Sequence, residues 1–313
     1  MTADWGDLAE VLRWLLVLAG AVWIIYAWFK RVAYRRALLG LVGLAALDFC
    51  AHAFATYAAR PDSIIPDDLP VYSLFILLAA VIGLLAACIY ARSTALPLST
   101  LLDAALVVVI CGSAGARIYH VLTHWDYYQQ NTGDILNFAQ GGLGLSGGVI
   151  LGLAALALWA LVRRVSFWPL ADAGALGLAL AQSIGWNAAR LVGANYGVVS
   201  DAGFAQDLPD VYGIVAPRVP VQGFAMIFFF MLFLTLVWIA WRIRPRAGIV
   251  FLVYLIVAAL GGLVLGTLRG DETLIWNGWR VDQWVDLILV AIGLVVLVTK
   301  MRTWRLPARE TAK

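Results

Sequence analysis

The chain has 313 residues, of which 63% are hydrophobic and only 13% are charged. Soluble globular domains are about 45–50% apolar and about 25% charged, so this composition excludes a soluble protein and predicts one that lies in lipid. The net charge of +3 is too small to indicate nucleic-acid binding. The three cysteines lie singly in apolar runs, so we expect neither a disulfide framework nor a metal site, and no cofactor.

Nine segments are long and apolar enough to cross a bilayer as helices. A hydrocarbon core about 30 Å thick requires roughly 20 apolar helical residues, because unpaired backbone groups are costly in lipid. In chain order the segments are 11–29, 37–57, 71–90, 101–121, 145–162, 167–191, 221–241, 249–268 and 284–299. The predicted fold class is therefore all-α, a polytopic membrane protein with about nine transmembrane helices.

The acidic, proline-containing stretch 60–70 is the one plausible internal boundary. It predicts a two-helix amino-terminal extension at 1–66, a seven-helix domain at 67–300 and a basic cytoplasmic tail at 301–313. Asp48 and His52 lie four residues apart in the second segment, hence on one helix face. Such an intramembrane pair either fixes how these helices dock or relays protons.

Basic residues are distributed unevenly between the two ends of the predicted helices. Fifteen of the 22 lie in alternate connections or in the tail, whereas most acidic residues lie in the other connections. Because short cytoplasmic loops retain positive charge, the amino terminus is predicted outside and the carboxyl terminus in the cytoplasm. The fifteen are Lys30, Arg31, Arg35, Arg36, Arg92, Arg163, Arg164, Arg242, Arg244, Arg246, Lys300, Arg302, Arg305, Arg309 and Lys313.

Three arginines near the predicted outer ends of helices depart from this bias. Arg117, Arg190 and Arg269 adjoin or enter apolar runs, where a charge usually faces a cavity or a partner. A guanidinium binds phosphate oxygens through two parallel hydrogen bonds, so a site for an anionic lipid head group is predicted. The alternative is that each arginine extends to the interface or pairs with an outer acid. Arg280 is expected in a polar outer loop, where salt screens its charge.

A glycine-rich segment, 140–148, opens the fifth predicted helix. Its glycines would let backbone N–H groups approach an anionic ligand at a helix amino terminus. They would equally allow two helices to pack closely, and both interpretations remain open.

Polar residues, glycines, alanines and prolines recur through the seven-helix domain in a characteristic order. They are Tyr72; Gly115, Ala116, Arg117 and Tyr119; Asp126, Tyr127 and Tyr128; Gln140, Gly141, Gly142, Gly147 and Gly148; Ala171 and Asp172; residues 182–185; Gly193, Tyr196 and Gly197; Pro217, Arg218, Pro220 and Gln222; Arg269; and Gln283. In order and spacing, residues 69–300 resemble bacterial prolipoprotein diacylglyceryl transferase, a seven-helix inner-membrane enzyme family.

The resemblance implies an activity and its partners. Members transfer the diacylglyceryl group of phosphatidylglycerol to the thiol of the lipobox cysteine in a prolipoprotein signal peptide, and glycerol phosphate is released. The implied partners are an anionic phospholipid, that signal peptide and the bilayer. The expected catalytic residues are Arg269, Arg190 and His120. The expected substrate-binding residues are Tyr72, Arg117, Gln140, Ser146, Gly147, Gly148, Gln222 and Gln283.

The sequence departs from the family pattern at several positions. Ser146 stands where the family usually has a histidine, and a serine hydroxyl is not a base near neutral pH. In the segment 185–194, the family's arginine, two asparagines and glutamate are replaced. Trp186, Ala189, Val192 and Ala194 occupy these positions. Phe224 replaces a common tyrosine.

Two explanations of these departures remain open. In the first, the site is rebuilt, with Arg190 one helical turn beyond Trp186 and with His120 or His124 supplying the base. In the second, the chemistry is lost and the protein is a lipid- or signal-peptide-binding scaffold or accessory subunit. A transporter would require polar breaks near mid-membrane in paired helices, whereas the polar residues here cluster toward one side.

Overall fold

The computed structural model describes residues 71–137 and 142–305, with side chains for residues 75–137 and 142–302. Seven long helices lie in this part of the chain. They are α1 (Val71–Ser93), α2 (Leu98–Thr123), α3 (Leu145–Arg163), α4 (Phe167–Leu191), α5 (Val221–Trp238), α6 (Ile249–Leu268) and α7 (Val281–Arg305). Each matches one predicted segment. The two amino-terminal segments and the pair formed by Asp48 and His52 lie outside the described residues.

Six of these helices are long and apolar enough to cross a membrane, which confirms a polytopic membrane protein. The exception, α4, is 25 residues long but carries Asp172, Gln182 and Arg190. The last helix extends beyond its predicted bounds, 284–299, at both ends. A hydropathy pattern misses these turns because they hold polar residues, including Asp282 and Lys300, although the backbone remains helical.

The helices α2 and α3 pack closely through glycines. A Cβ atom at Gly115 would lie only 2.5 Å from both the carbonyl oxygen of Gly147 and the Cβ of Leu151. A Cβ at Gly112 would lie 3.4 Å from the carbonyl oxygen of Gly148. Gly147 and Gly148 therefore have a packing role, as the helix-packing interpretation of the glycine-rich segment predicts.

The core of the bundle lies between α4, α5 and α6, and Asp172 fastens one end of it. This carboxylate is 1% exposed and accepts hydrogen bonds from the backbone N–H groups of Gly248, at 2.6 Å, and Phe251, at 2.8 Å. It thereby satisfies donors that the first turn of α6 leaves unpaired. Lys300 caps the same end by donating to the carbonyl of Ala247 at 2.7 Å.

The opposite end carries the long connections and two small hairpins. One hairpin pairs β1 (Gln206–Pro209) with β2 (Val215–Arg218), and the other pairs β3 (Ile275–Trp276) with β4 (Trp279–Arg280), both antiparallel. The chain that leaves α4 bridges to both regions, because Gly197 pairs with Arg269 and Val199 pairs with Arg218. These pairings fix the backbone of Arg269 directly after α6.

Candidate active site

Arg269 is the centre of a polar cluster at this end of the bundle. Its Nε donates to Oδ1 of Asp271 at 2.8 Å, and its Nη2 donates to Asp271 Oδ2 and, at 2.9 Å, to Oδ1 of Asn195. Its Nη1 has no hydrogen bond within the described part of the chain, and it lies 4.0 Å from Oδ2 of Asp282. The guanidinium is therefore fixed along one edge, and the remaining nitrogen faces Asp282.

Asp271 is shared between two arginines. Arg280 donates from Nη2 to Asp271 Oδ2 and from Nη1 to the Asp271 carbonyl, each at 3.0 Å. Arg280 is only 8% exposed, so the expectation that it is a salt-screened loop residue is wrong. The β3–β4 hairpin brings the side chain back onto Asp271. Burial, and then the positive charge of Arg269, lower the pKa of Arg280, but an arginine remains protonated.

Asp282 joins three helices at the start of α7. Its Oδ1 accepts a hydrogen bond from Tyr119 of α2 at 2.7 Å and one from Ser146 of α3 at 2.8 Å. Its side chain is 29% exposed. One turn later, Asp286 lies against Gly262 of α6, where any Cβ would meet the carboxyl group. Two carboxylates therefore occupy the side of the cluster that Arg269 faces.

A second ion pair lies beside the cluster. Arg218 donates to Asp210 at 2.9 Å and stacks 4.6 Å from the ring centroid of Tyr196. The Tyr196 carbonyl in turn accepts from the N–H of Gly270 at 2.8 Å. The β1–β2 hairpin thus supports the segment that holds Arg269. Within the described ranges, no three His, Cys, Asp or Glu side chains are grouped to bind a metal ion.

Comparison with known proteins assigns the sequence to a family. The family model of prolipoprotein diacylglyceryl transferase matches residues 63–299. The chain belongs to this family. A phosphatidylglycerol–prolipoprotein diacylglyceryl transferase of Streptococcus pneumoniae serotype 4 is 30% identical over 216 residues, which cover 64% of this chain and 78% of that protein.

Two further relatives carry the same name. The protein from Listeria monocytogenes serotype 4b is 28% identical over 234 residues, which cover 72% of this chain and 84% of the relative. The protein from Thermosynechococcus vestitus is 28% identical over 235 residues, which cover 71% of this chain and 85% of the relative. The similarity therefore extends over most of the length of each relative.

In this member of the family, the predicted site residues fall into separate groups. Arg117 is 4% exposed and donates to the carbonyls of Asp134, Ile135 and Gly142, so it holds the loop after α2 in place. The His120 ring lies against Gly142, whose φ of +72° and lack of a Cβ make room for it.

His120 also stacks on His124, with ring centroids 4.2 Å apart. In the described part of the chain, neither imidazole hydrogen-bonds to Arg269 or Asp282. A role for His120 as the base stays a prediction.

Arg190 is exposed and donates to Gln206 on β1 at 3.3 Å. Arg269 is not among its hydrogen-bond or ion-pair partners. Trp186, one turn earlier, packs against the core between α4, α5 and α6. The family's arginine position has therefore become a packing position in this chain. A catalytic role for Arg190 also stays a prediction.

Two predicted glutamines position residues of the Arg269 cluster. Gln222 is 2% exposed and donates to the carbonyl of Ala194 at 3.0 Å, which holds the turn before Asn195. Gln283 accepts from the Arg280 N–H at 3.1 Å and donates to the carbonyl of Leu263 at 3.0 Å. Two other residues were predicted to bind substrate. Tyr72 lies in α1, and Gln140 lies outside the described residues.

The carboxylates of the Arg269 cluster were not predicted from the sequence as site residues. Asp286 lies inside the predicted ninth segment, where an ionisable residue usually has a function, so that rule would have identified it. Asp282 precedes it by one helical turn. No such rule would have identified Asp271, because it lies in a connection between two predicted helices, next to another acid, Glu272.

Proposed function

We propose that this protein transfers the diacylglyceryl group of phosphatidylglycerol to the thiol of a prolipoprotein's lipobox cysteine. The observation that carries the proposal is the family match over residues 63–299, together with relatives that are named for this reaction. The membrane-spanning helices agree with a lipid substrate.

The chemistry of the Arg269 cluster suits this reaction. The departing glycerol phosphate carries negative charge, and a fixed guanidinium stabilises such charge without reorganising during the reaction. Arg269 has this property because Asp271 and Asn195 hold one edge, whereas Nη1 has no hydrogen bond in the described part of the chain. We assign the phosphate contact to Arg269. Direct substrate contacts by the other predicted residues remain proposals.

The proposed location is the bacterial inner membrane, with the Arg269 cluster facing outward and the Asp172–Lys300 end in the cytoplasm. The positive-inside distribution supports this orientation. We expect a cysteine-labelling scan to find residues 122–140 and 200–216 accessible from outside, and residues 163–166 and 242–247 accessible only from inside. Labelling of both sets from the same side would contradict the orientation.

The direct test of the proposed function uses the full-length protein reconstituted with phosphatidylglycerol labelled in its acyl chains. A lipobox peptide should acquire the label through a thioether, whereas the same peptide with serine in place of the lipobox cysteine should not. A protein that retains the lipid but transfers no label to the cysteine peptide would overturn the proposal.

The second candidate function is that of a catalytically silent homologue that binds lipid or signal peptides. Ser146 and Trp186 favour it, since the family's histidine and arginine are absent from these positions. Under our proposal, Ser146→His should lower transfer about tenfold, because the hydrogen bond from the hydroxyl to Asp282 is lost. Transfer by Ser146→His but not by the wild type would instead support the silent homologue. Both proteins are compared in the same label-transfer assay.

A further inference from the structure

The proposed reaction requires a group that takes the proton of the cysteine thiol. Among the described residues, only Asp271 and Asp282 have carboxylate oxygens within ion-pair distance of Arg269. Both oxygens of Asp271 accept hydrogen bonds from Arg269, and Oδ2 also accepts one from Arg280. Asp271 therefore has no oxygen without a hydrogen bond beside the cation.

Asp282 differs because its two oxygens have different surroundings. Oδ1 accepts the hydrogen bonds of Tyr119 and Ser146, which fix the orientation of the carboxylate. Oδ2 accepts no hydrogen bond in the described ranges, and the nearest cationic atom is Arg269 Nη1 at 4.0 Å. The geometry points to Asp282 as the catalytic residue that accepts the thiol proton, an inference that rests on the proposed transferase function.

The transfer step uses only the groups of the site and the two substrates. The S–H proton passes to Asp282 Oδ2, and the sulfur electron pair forms a bond to the terminal glyceryl carbon of the lipid. The bond between that carbon and its phosphate oxygen breaks, and its electrons leave with glycerol phosphate. Arg269 Nη1 stabilises this phosphate, and Asp282 then returns the proton to it. No oxidant, reductant or further reactant is needed.

Charges on the surrounding elements assist this transfer. The Arg269 guanidinium favours thiolate over thiol, as a neighbouring cation does. Asp286 lies one turn from Asp282, so protonation of Asp282 removes a repulsion between two carboxylates. Arg280 and Asp271 complete the charged groups on the hairpin side. The hydroxyl groups of Tyr119 and Ser146 orient the acceptor without removing the proton themselves.

The test compares Asp282→Asn with variants that leave the carboxylate in place. Asp282→Asn keeps the shape of the side chain and should lower the kcat of label transfer by at least about 100-fold, the usual contribution of a general base. The double variant Tyr119→Phe with Ser146→Ala removes the two hydrogen bonds to Asp282 Oδ1 but keeps the carboxylate, so its transfer rate should fall only about tenfold. Asp282→Glu should recover part of the rate. Glu272→Gln, at an exposed loop position, should change nothing.

The readouts separate this inference from the proposed function. Retention of phosphatidylglycerol should be unchanged in Asp282→Asn, so the substitution should lower the kcat of transfer without weakening lipid binding. The role of Asp282 would be overturned if the wild type transfers label and Asp282→Asn transfers it at a rate within tenfold of wild type. It would also be overturned if the double variant is as slow as Asp282→Asn. Either result would leave the proposed transferase function intact. No transfer by the wild type would overturn the proposed function and this inference together.

Discussion

Replacement of Arg269 by alanine is expected to lower diacylglyceryl transfer by about 10²–10³-fold. Arg269 is the cation whose Nη1 faces Asp282, and it is fixed by Asp271 and Asn195. Removal of one fixed donor to a developing anion typically costs this much in rate. The measurements are the initial rate of label transfer to a lipobox peptide and the amount of phosphatidylglycerol retained by the purified protein.

Two substitutions serve as controls for Arg269→Ala: one keeps the charge at position 269, and the other removes the charge of a neighbouring arginine. Arg269→Lys keeps the charge but loses the planar fork, so its activity should lie between those of wild type and Arg269→Ala. Arg280→Ala should weaken anionic-lipid retention less than Arg269→Ala, because both hydrogen bonds that the Arg280 side chain donates within the described residues go to Asp271. Equal loss of lipid in the two alanine variants would argue against a head-group site at Arg269.

Arg190→Ala tests the explanation in which the active site is rebuilt around Arg190. That explanation makes Arg190 a second phosphate clamp, and loss of transfer in Arg190→Ala would support it. Its exposed side chain and its contact with Gln206 instead predict a rate within a few-fold of wild type. The same transfer assay distinguishes the two results.

The helices of residues 71–305 were predictable because each satisfies one strong local requirement. An apolar run of bilayer length must form backbone hydrogen bonds internally, and α2 and α6 are recognised on that basis alone. The polar turns that extend α7 at both ends were not predictable in the same way. Their polar side chains, Asp282 and Lys300, contact distant elements that a local pattern does not reveal.

The site was predictable only in part. Arg269 was identified as a charge next to an apolar helix, and in the structure it directly follows α6 and precedes the β3–β4 hairpin. The pairing of Asp271 with both Arg269 and Arg280 was not predictable, because it depends on the tight turn at Asn277 and Gly278 that folds β4 back toward α6. His120 was predicted as a substitute base because Ser146 replaces the family's histidine. Asp271 and Asp282 are not among the residues that carry the resemblance, so the family pattern did not indicate them.

Asp271→Asn is expected to destabilise the protein by about 3 kcal/mol. The substitution leaves two cations, Arg269 at 18% and Arg280 at 10% side-chain exposure, without their shared negative charge. Removal of one partner from a buried ion pair typically costs about 3–5 kcal/mol, and the lower end applies because these side chains retain some solvent contact. Thermal unfolding of the protein in detergent, followed by tryptophan fluorescence, measures the change.

Glu272→Gln serves as the control for this measurement, because it removes the neighbouring charge at an exposed position and should alter stability by less than about 0.5 kcal/mol. The double variant Asp271→Asn with Arg280→Met should recover part of the loss, since only Arg269 is then left without the shared carboxylate. If the Asp271→Asn protein is as stable as Glu272→Gln, then solvent, rather than Asp271, stabilises the charges of the two arginines. The ion-pair network would then orient the guanidinium of Arg269 without contributing to the stability of the fold.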